Sequence, residues 1–245
     1  MSAGAHHQVQ AEHWSRAQPA HFAWKTRNPV LRESERALVQ DVDGEGAVLE
    51  VGCGEGANLA HLQGRGARFA VDRFREKVRF AQGAVPGLRA VVADAAALPF
   101  AAERFDAVLI RDLLHHVYDR DRVLAEAWRV LRPGGVLHVV EVNRGSALFL
   151  AQALLIPAER GILRSSPRRL RAELLRLPRS CEVAVDMAQP FPLARLLLHP
   201  ELGRPALAER SLVRGGLALL DACGARLLPR ATWGYMRGRA RKLHS

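Results

Sequence analysis

A doubly wound α/β fold with a mostly parallel sheet is predicted for this 245-residue chain, and three observations carry the prediction. Short apolar runs recur between residues 47 and 142, helical patterns separate them, and a glycine-rich corner follows the first run. Strands buried on both faces read as continuous apolar runs, and the helices that cross between them cover the sheet from both sides.

The elements follow in order. Residues 1–13 are expected to fray. Residues 14–40 carry Trp14, Phe22, Trp24, Val30, Leu31, Leu38 and Val39 among polar residues, broken by Pro19 and Pro29, which predicts one or two short amphipathic helices. AVLEV (47–51) is the first strand and ANLAHL (57–62) opens a helix. ARFAVD (67–72) is the second strand, with a helix over 74–83, then RAVVAD (89–94) and FDAVLI (105–110) are the third and fourth. RDRVLAEAWRVL (120–131) puts Val123, Leu124, Ala127, Val130 and Leu131 on one helical face, RPGG stops it, and VLHVVEV (136–142) is the fifth strand. Beyond Asn143 the rhythm changes. SALFLAQALLI (146–156) predicts an apolar helix, and Ser166-Pro167 supplies an N-cap and first-turn proline for a basic helix with Leu170, Leu174 and Leu177 in a stripe. CEVAVDM (181–187) alternates as a strand, 193–223 is helical, and 231–241 is expected as a closing edge strand. The organisation expected is an N-terminal helical lid (1–40), a ligand-binding core (41–143) and a helical elaboration with closing strands of the same domain (144–245).

Composition narrows the class. Hydrophobic residues make up 49% and charged residues 25%, inside the globular range. The three cysteines, Cys53, Cys181 and Cys223, form no CxxC pair and no Cys/His cluster, so a reducing compartment is expected and a structural zinc site is not. With no secretory pattern at the start and no apolar run near membrane length, a cytoplasmic protein is expected. The net charge of +11 raises nucleic acid or an anionic membrane as partners, yet an arginine-rich composition with lysine only at 25, 77 and 242 also arises without functional meaning.

The corner Gly52-Cys53-Gly54-Glu55-Gly56-Ala57 fits two templates. As Gly-x-Gly-x-x-Ala with Asp72 twenty residues past Gly52, it passes the dinucleotide fingerprint. As acidic-x-Gly-x-Gly-x-Gly beginning at Glu50, it fits a S-adenosylmethionine loop equally well. Alternate glycines after a buried strand are costly unless a ligand must come close.

The downstream block separates the two. Asp94 with LPF (98–100), FDAV (105–108), LHHV (114–117) and RVLRPGG (129–135) stand in order. Residues 45–143 thereby resemble the class I S-adenosylmethionine-dependent methyltransferases, in the type 11 branch that includes ubiquinone/menaquinone-biosynthesis enzymes. The resemblance implies a Rossmann-like core with S-adenosyl-L-methionine as cofactor. It implies that Gly52, Cys53 and Gly54 lie against the methionine portion and that Glu50 orients the loop or meets the amino group. It further implies that Asp72 accepts the ribose hydroxyls, Arg73 lines the adenine, Asp94 and the Ala95 amide meet the adenine edge, and the Arg111 backbone borders the cofactor. All sit at strand C-terminal ends, where open α/β sheets bind ligands. For a protonated acceptor the candidate bases are His115 and His116, with Asp112 and Glu141 near; the His pair also suits a structural role.

The motifs of DNA-base, glutamine, pyrimidine-C5 and protein-arginine methylation are absent, which disfavours nucleic acid and arginine acceptors. The acceptor expected is a small molecule, hydrophobic or phenolic and lipid-like, with an anionic membrane surface as a further partner through the arginines after Arg160. An RNA methyltransferase and a nicotinamide-dependent oxidoreductase stand as alternatives. No metal is expected, and the oligomeric state is left unassigned.

Overall fold

Residues 3–190, 192–200 and 203–243 are described in the computed structural model. Strands β1 (Val48–Val51), β2 (Arg68–Asp72), β3 (Arg89–Val92), β4 (Phe105–Arg111) and β5 (Leu131–Val142) run parallel. Strand β7 (Tyr235–Lys242) lies antiparallel between β5 and β6 (Ser180–Ala188), giving the order β3-β2-β1-β4-β5-β7-β6. The chain reverses direction across the sheet at β1, whose neighbours are β2 and β4, so a crevice opens above its C-terminal end. The register levels that rim: Val51 pairs with both Val71 and Ile110, and Arg111 pairs with Val140.

Strand alternation divides the interior into two layers. Val48, Ala107, Leu109, Val140 and Val142 join Leu38, Val39, Leu59 and Val78 on one face. Leu49, Val51, Val108, Ile110, Leu137 and Val139 join Leu124, Trp128, Leu170 and Leu174 on the other. Glu50 and Arg111 therefore belong to the first face and Glu141 to the second. Helices α4 (Ala57–His61), α5 (Arg75–Ala84) and α6 (Arg120–Val130) connect the parallel strands.

Several expectations need correction. Residues 3–14 do not fray but form α1 (Ala3–Trp14), held by polar anchors that no apolar stripe advertises: His6 Nε2 bonds the His116 carbonyl at 2.7 Å and Gln10 Nε2 donates to Ala158 O at 2.8 Å. Two more helices follow, α2 (Pro19–Arg27) and α3 (Pro29–Val39). The last strand is internal rather than an edge, and β6 is the edge. Close packing explains the inner place of β7: a Cβ at Gly238 would come within 2.9 Å of Leu170 and Leu174 on α8 (Pro167–Leu175). The leucine stripe of α8 is thus core, capped at Ser166 as predicted. Helix α7 (Ala147–Leu155) buries only Phe149 and Ala153 and exposes Leu150, Leu154 and Leu155. The stretch 193–223 is not continuous. It breaks at Pro200, Gly203 and Pro205 into α9 (Leu193–Leu197), a 3-10 turn (Pro205–Glu209) and α10 (Ser211–Leu227). No helix among the described residues is long and apolar enough to cross a membrane.

Candidate active site

The glycine corner sits directly above β1. Gly52, Gly54 and Gly56 all take positive φ (77°, 52° and 81°), a backbone region costly for any residue bearing a Cβ. At Gly52 a Cβ would also strike Leu113 at 2.9 Å, whereas at Gly54 it would meet nothing within 4 Å. Gly54 thus faces open space at the rim. The loop amides are already engaged: Gly52 and Cys53 donate to Val71 O (2.8 and 3.0 Å) and Gly54 donates to Asp72 Oδ2 (2.9 Å). What this corner offers a ligand is close backbone approach, not a row of free N–H groups.

The other candidates fall around it. Asp72 ends β2, and its second oxygen accepts from Phe74 N at 2.9 Å; each carboxylate oxygen keeps a further lone pair. Arg73 and Asp94 are exposed, and Asp94 lies two residues past β3, where its carboxylate accepts from Ala96 N. Ala95 is half-buried beside it. Cys53 is buried, and its thiol is pushed well up by desolvation and the nearby Glu50 and Asp72 charges, so it is no nucleophile.

On the first face the rim carries a buried polar cluster that sequence reasoning largely missed. Glu50 accepts from Asn58 of α4, while its Oε2 is buried without a partner. Burial pushes the Glu50 carboxyl up to about 8, against the opposing Asn58 bond and Arg111 charge. The Arg111 side chain turns away from the rim to bond Asn58 (2.5 Å) and Glu35 of α3, and Glu35 also pairs with Arg195 of α9. Desolvation would raise the Glu35 carboxyl, but the two guanidiniums outweigh it and hold it at about 2. Lys25 of α2 stands in the field of this cluster, its ammonium lowered chiefly by desolvation. Asp112, just past β4, has a positive φ of 50°, accepts from Tyr235 Oη at 3.2 Å, and leaves Oδ1 buried and unpartnered. Strain of this kind gathers where a scaffold fixes functional groups.

The second face holds the histidine pair, on a 3-10 turn (Leu114–His116). His115 Nδ1 lies 2.9 Å from Glu141 Oε2 and its Nε2 lies 3.4 Å from Glu159 Oε2. Desolvation works against its charge, yet the two carboxylates push it up to about 10. Both ring nitrogens of His115 thus face carboxylates, whereas a general base needs a nitrogen turned to its substrate. His116 Nδ1 lies 3.3 Å from Ala158 O, against the Trp14 ring, and burial plus the His115 charge push its pKa well below the usual imidazole value.

A doubly wound sheet whose glycine corner, Asp72 and Arg111 share one level row has the layout in which open α/β sheets bind ligands at the reversal of strand order. The comparisons refine this. Residues 49–139 match the family model described as Methyltransferase domain. The chain is 35% identical over 142 residues to the methyltransferase GfsG of Streptomyces halstedii, covering 52% of this chain and 51% of that protein. It is 37% identical over 146 residues to a probable phthiotriol/phenolphthiotriol dimycocerosates methyltransferase 2 of Mycobacterium ulcerans, covering 57% and 55%. The chain thus spans about half the length of the curated relatives it matches. Among solved structures, a SAM-dependent methyltransferase of Thermotoga maritima shares the fold with a TM-score of 0.64 at 20% identity, covering 91% of this chain and 94% of that one. Residues 49–139 thus match a methyltransferase domain, and the matches together support a class I S-adenosylmethionine-dependent methyltransferase. The RNA and nicotinamide alternatives receive no support from these matches.

Proposed function

We propose that this chain transfers a methyl group from S-adenosyl-L-methionine to a small, hydrophobic or phenolic, lipid-like acceptor. The observation that carries the reading is the open space in front of Gly54, flanked by Asp72, with the unpartnered Oε2 of Glu50 two residues lower on β1. The residues fit the cofactor: Glu50 Oε2 would receive its amino group, Asp72 its ribose hydroxyls, and Asp94 with the Ala95 amide its adenine edge, with Arg73 beside the ring. Gly52 and Cys53 would let the backbone approach, and the Arg111 backbone would border it. Bound there, the cofactor supplies an electrophilic methyl on a sulfonium whose leaving group departs neutral. The protein's task is alignment, which is worth up to ~7–11 kcal/mol in favourable intramolecular reactions.

If the acceptor carries a proton, Asp112 is the group placed to take it, with a free oxygen at the β4 end and Tyr235 fixing the other. His115 and His116 then hold the turn beneath the site. Residues 1–40 serve as a lid over the core at 41–143: Gln18 N donates to Glu55 Oε1 at 3.0 Å, and Lys77 reaches both Glu55 (3.7 Å) and the Trp14 ring (5.0 Å). Residues 144–245 shape the acceptor side. The lipid-like reading is supported by the exposed leucines of α7 and α10, Leu155 at 81% and Leu212 at 90% among them, with basic residues nearby in sequence. It is also supported by the M. ulcerans relative, whose name refers to dimycocerosates.

Calorimetry with S-adenosylhomocysteine and NAD, run side by side, tests the cofactor. Saturable uptake of the first only, weakened by Asp72→Asn, is expected; no uptake of the first overturns the reading. Sedimentation with anionic vesicles that fades as salt rises tests the surface contact.

A further inference from the structure

The histidine turn lies on the face of the sheet opposite Glu50, and methyl transfer makes no chemical use of it. We propose that His115, His116 and Glu159 bind one divalent transition-metal ion of the zinc type, with Glu141 buttressing His115 from behind. One ligand atom from each of the three lies within 4.8 Å of the other two.

The hydrogen bonds around the rings prepare them for this. His115 Nδ1–H donates to the Glu141 carboxylate, and His116 Nδ1–H donates to the Ala158 carbonyl, which leaves Nε2 of each ring as the coordinating nitrogen. Metal-binding histidines are oriented by such partners on the far nitrogen, a carboxylate or a carbonyl. Glu159 completes the set on the 3-10 turn Pro157–Arg164, which is seated without slack: a Cβ at Gly161 would fall 1.6 Å from His115 O. Two histidine nitrogens and a carboxylate oxygen with a position left open is a donor set suited to zinc or cobalt. Above it, α1 presents Gln10, which donates to the same Ala158 carbonyl and keeps Oε1 buried with no partner, an acceptor for a water on the ion.

Charge points the same way. Two carboxylates, Glu141 and Glu159, close on the two nitrogens of the His115 ring at 2.9 and 3.4 Å. Of the cations around the turn, Arg120 is committed to Glu173 at 2.7 Å and Lys77 to Glu55 at 3.7 Å and the Trp14 ring at 5.0 Å. An ion entering between His115 Nε2 and Glu159 releases the Nε2 proton to solvent. Two carboxylates, two neutral imidazoles and one divalent cation then sum to zero, and such compensation is what a buried charge requires.

The test uses the full chain, stripped with a chelator and titrated with Co²⁺ and Zn²⁺ by calorimetry and visible absorption. Saturable one-to-one binding is expected, with a cobalt spectrum of nitrogen and oxygen ligands. Glu159→Gln and His116→Ala should each weaken it at least tenfold, Glu141→Gln by roughly 10–100-fold, and His7→Ala, exposed on α1, should leave it unchanged. No saturable binding, binding indifferent to Glu159→Gln, or a thiolate charge-transfer band overturns the proposal. Should a variant fail to fold, the wild-type cobalt spectrum alone decides. S-adenosylhomocysteine titrated into the same stripped sample reports on the cofactor reading separately.

Discussion

Glu50→Gln tests the electrostatics of the rim most directly. In the folded chain the Glu50 carboxyl is pushed up to about 8, against an ordinary value of 4.5. A carboxyl raised on folding contributes its full stability below the unfolded value and loses it as pH rises through the folded one. At pH 7 the unfolded chain gains from ionisation over roughly 2.5 pH units that the folded chain does not, which at ~1.36 kcal/mol per unit costs up to about 3 kcal/mol. Glutamine keeps the carbonyl that accepts from Asn58 and removes the titration. The variant should therefore be more stable than the parent at pH 7 by up to about 3 kcal/mol, or ~6–12 °C in melting temperature for a chain of this size. The gain should shrink to nothing near pH 4.5. Paired urea and thermal melts from pH 4 to 9 read it. Affinity for S-adenosylhomocysteine should fall in the same variant, because glutamine, unlike the carboxyl, cannot ionise to meet the ligand's ammonium group. A gain that does not change with pH, or a loss of stability at pH 7, would refute the reasoning.

Other expectations follow from the same geometry. Gly54→Val should cost only ~1–2 kcal/mol for the left-handed backbone, since no atom lies in the way, yet abolish S-adenosylhomocysteine uptake; a fully folded variant that still binds would move the site elsewhere. Asp112→Asn should cut turnover on a protonated acceptor by about 10²–10⁴-fold while cofactor affinity holds, read by steady-state kinetics beside calorimetry. Arg111→Met leaves Glu35 with Arg195 alone and should destabilise the chain by about 3 kcal/mol in urea melts, near the lower range for breaking a buried pair. His115 is raised from 6.5 to about 10, so its contribution is whole below pH 6.5 and drains as pH climbs through about 10. Urea midpoints over pH 8–10, above the Glu50 titration, should slope downward in the parent and flatten in His115→Gln.

The parallel half of the sheet was legible because its signal is local. Each strand is a short apolar run, and Glu50, Asp72 and Arg111 each sit at or one residue short of the end of its own strand, so they could be placed by counting. The place of β7 was not legible, because an antiparallel strand inserted between two others leaves no mark in its own pattern beyond Gly238. The cluster of Lys25, Glu35, Asn58, Arg111 and Arg195 draws on α2, α3, α4, β4 and α9. Only the fold unites them. Glu35 and Arg195 read in sequence as solvated charges on helices, and only burial gives them their role. Glu159 was hidden in the same way, within a stretch that reads as a loop between an apolar helix and a basic one. The glycine pattern also did not disclose that three of the corner's amides are spent on Val71 and Asp72.

Helix α1 fastens to the body through side chains that reach main-chain carbonyls, at His116 and at Ala158. Both carbonyls belong to the two turns that enclose the histidine pair. Any motion that lifts α1 to admit a guest thus unroofs those rings to solvent in the same stroke. If residues 1–40 open as the proposed lid, that opening and hydration of the histidine turn are one event, and a chain shortened to begin after Trp14 should keep its sheet while leaving that turn wet.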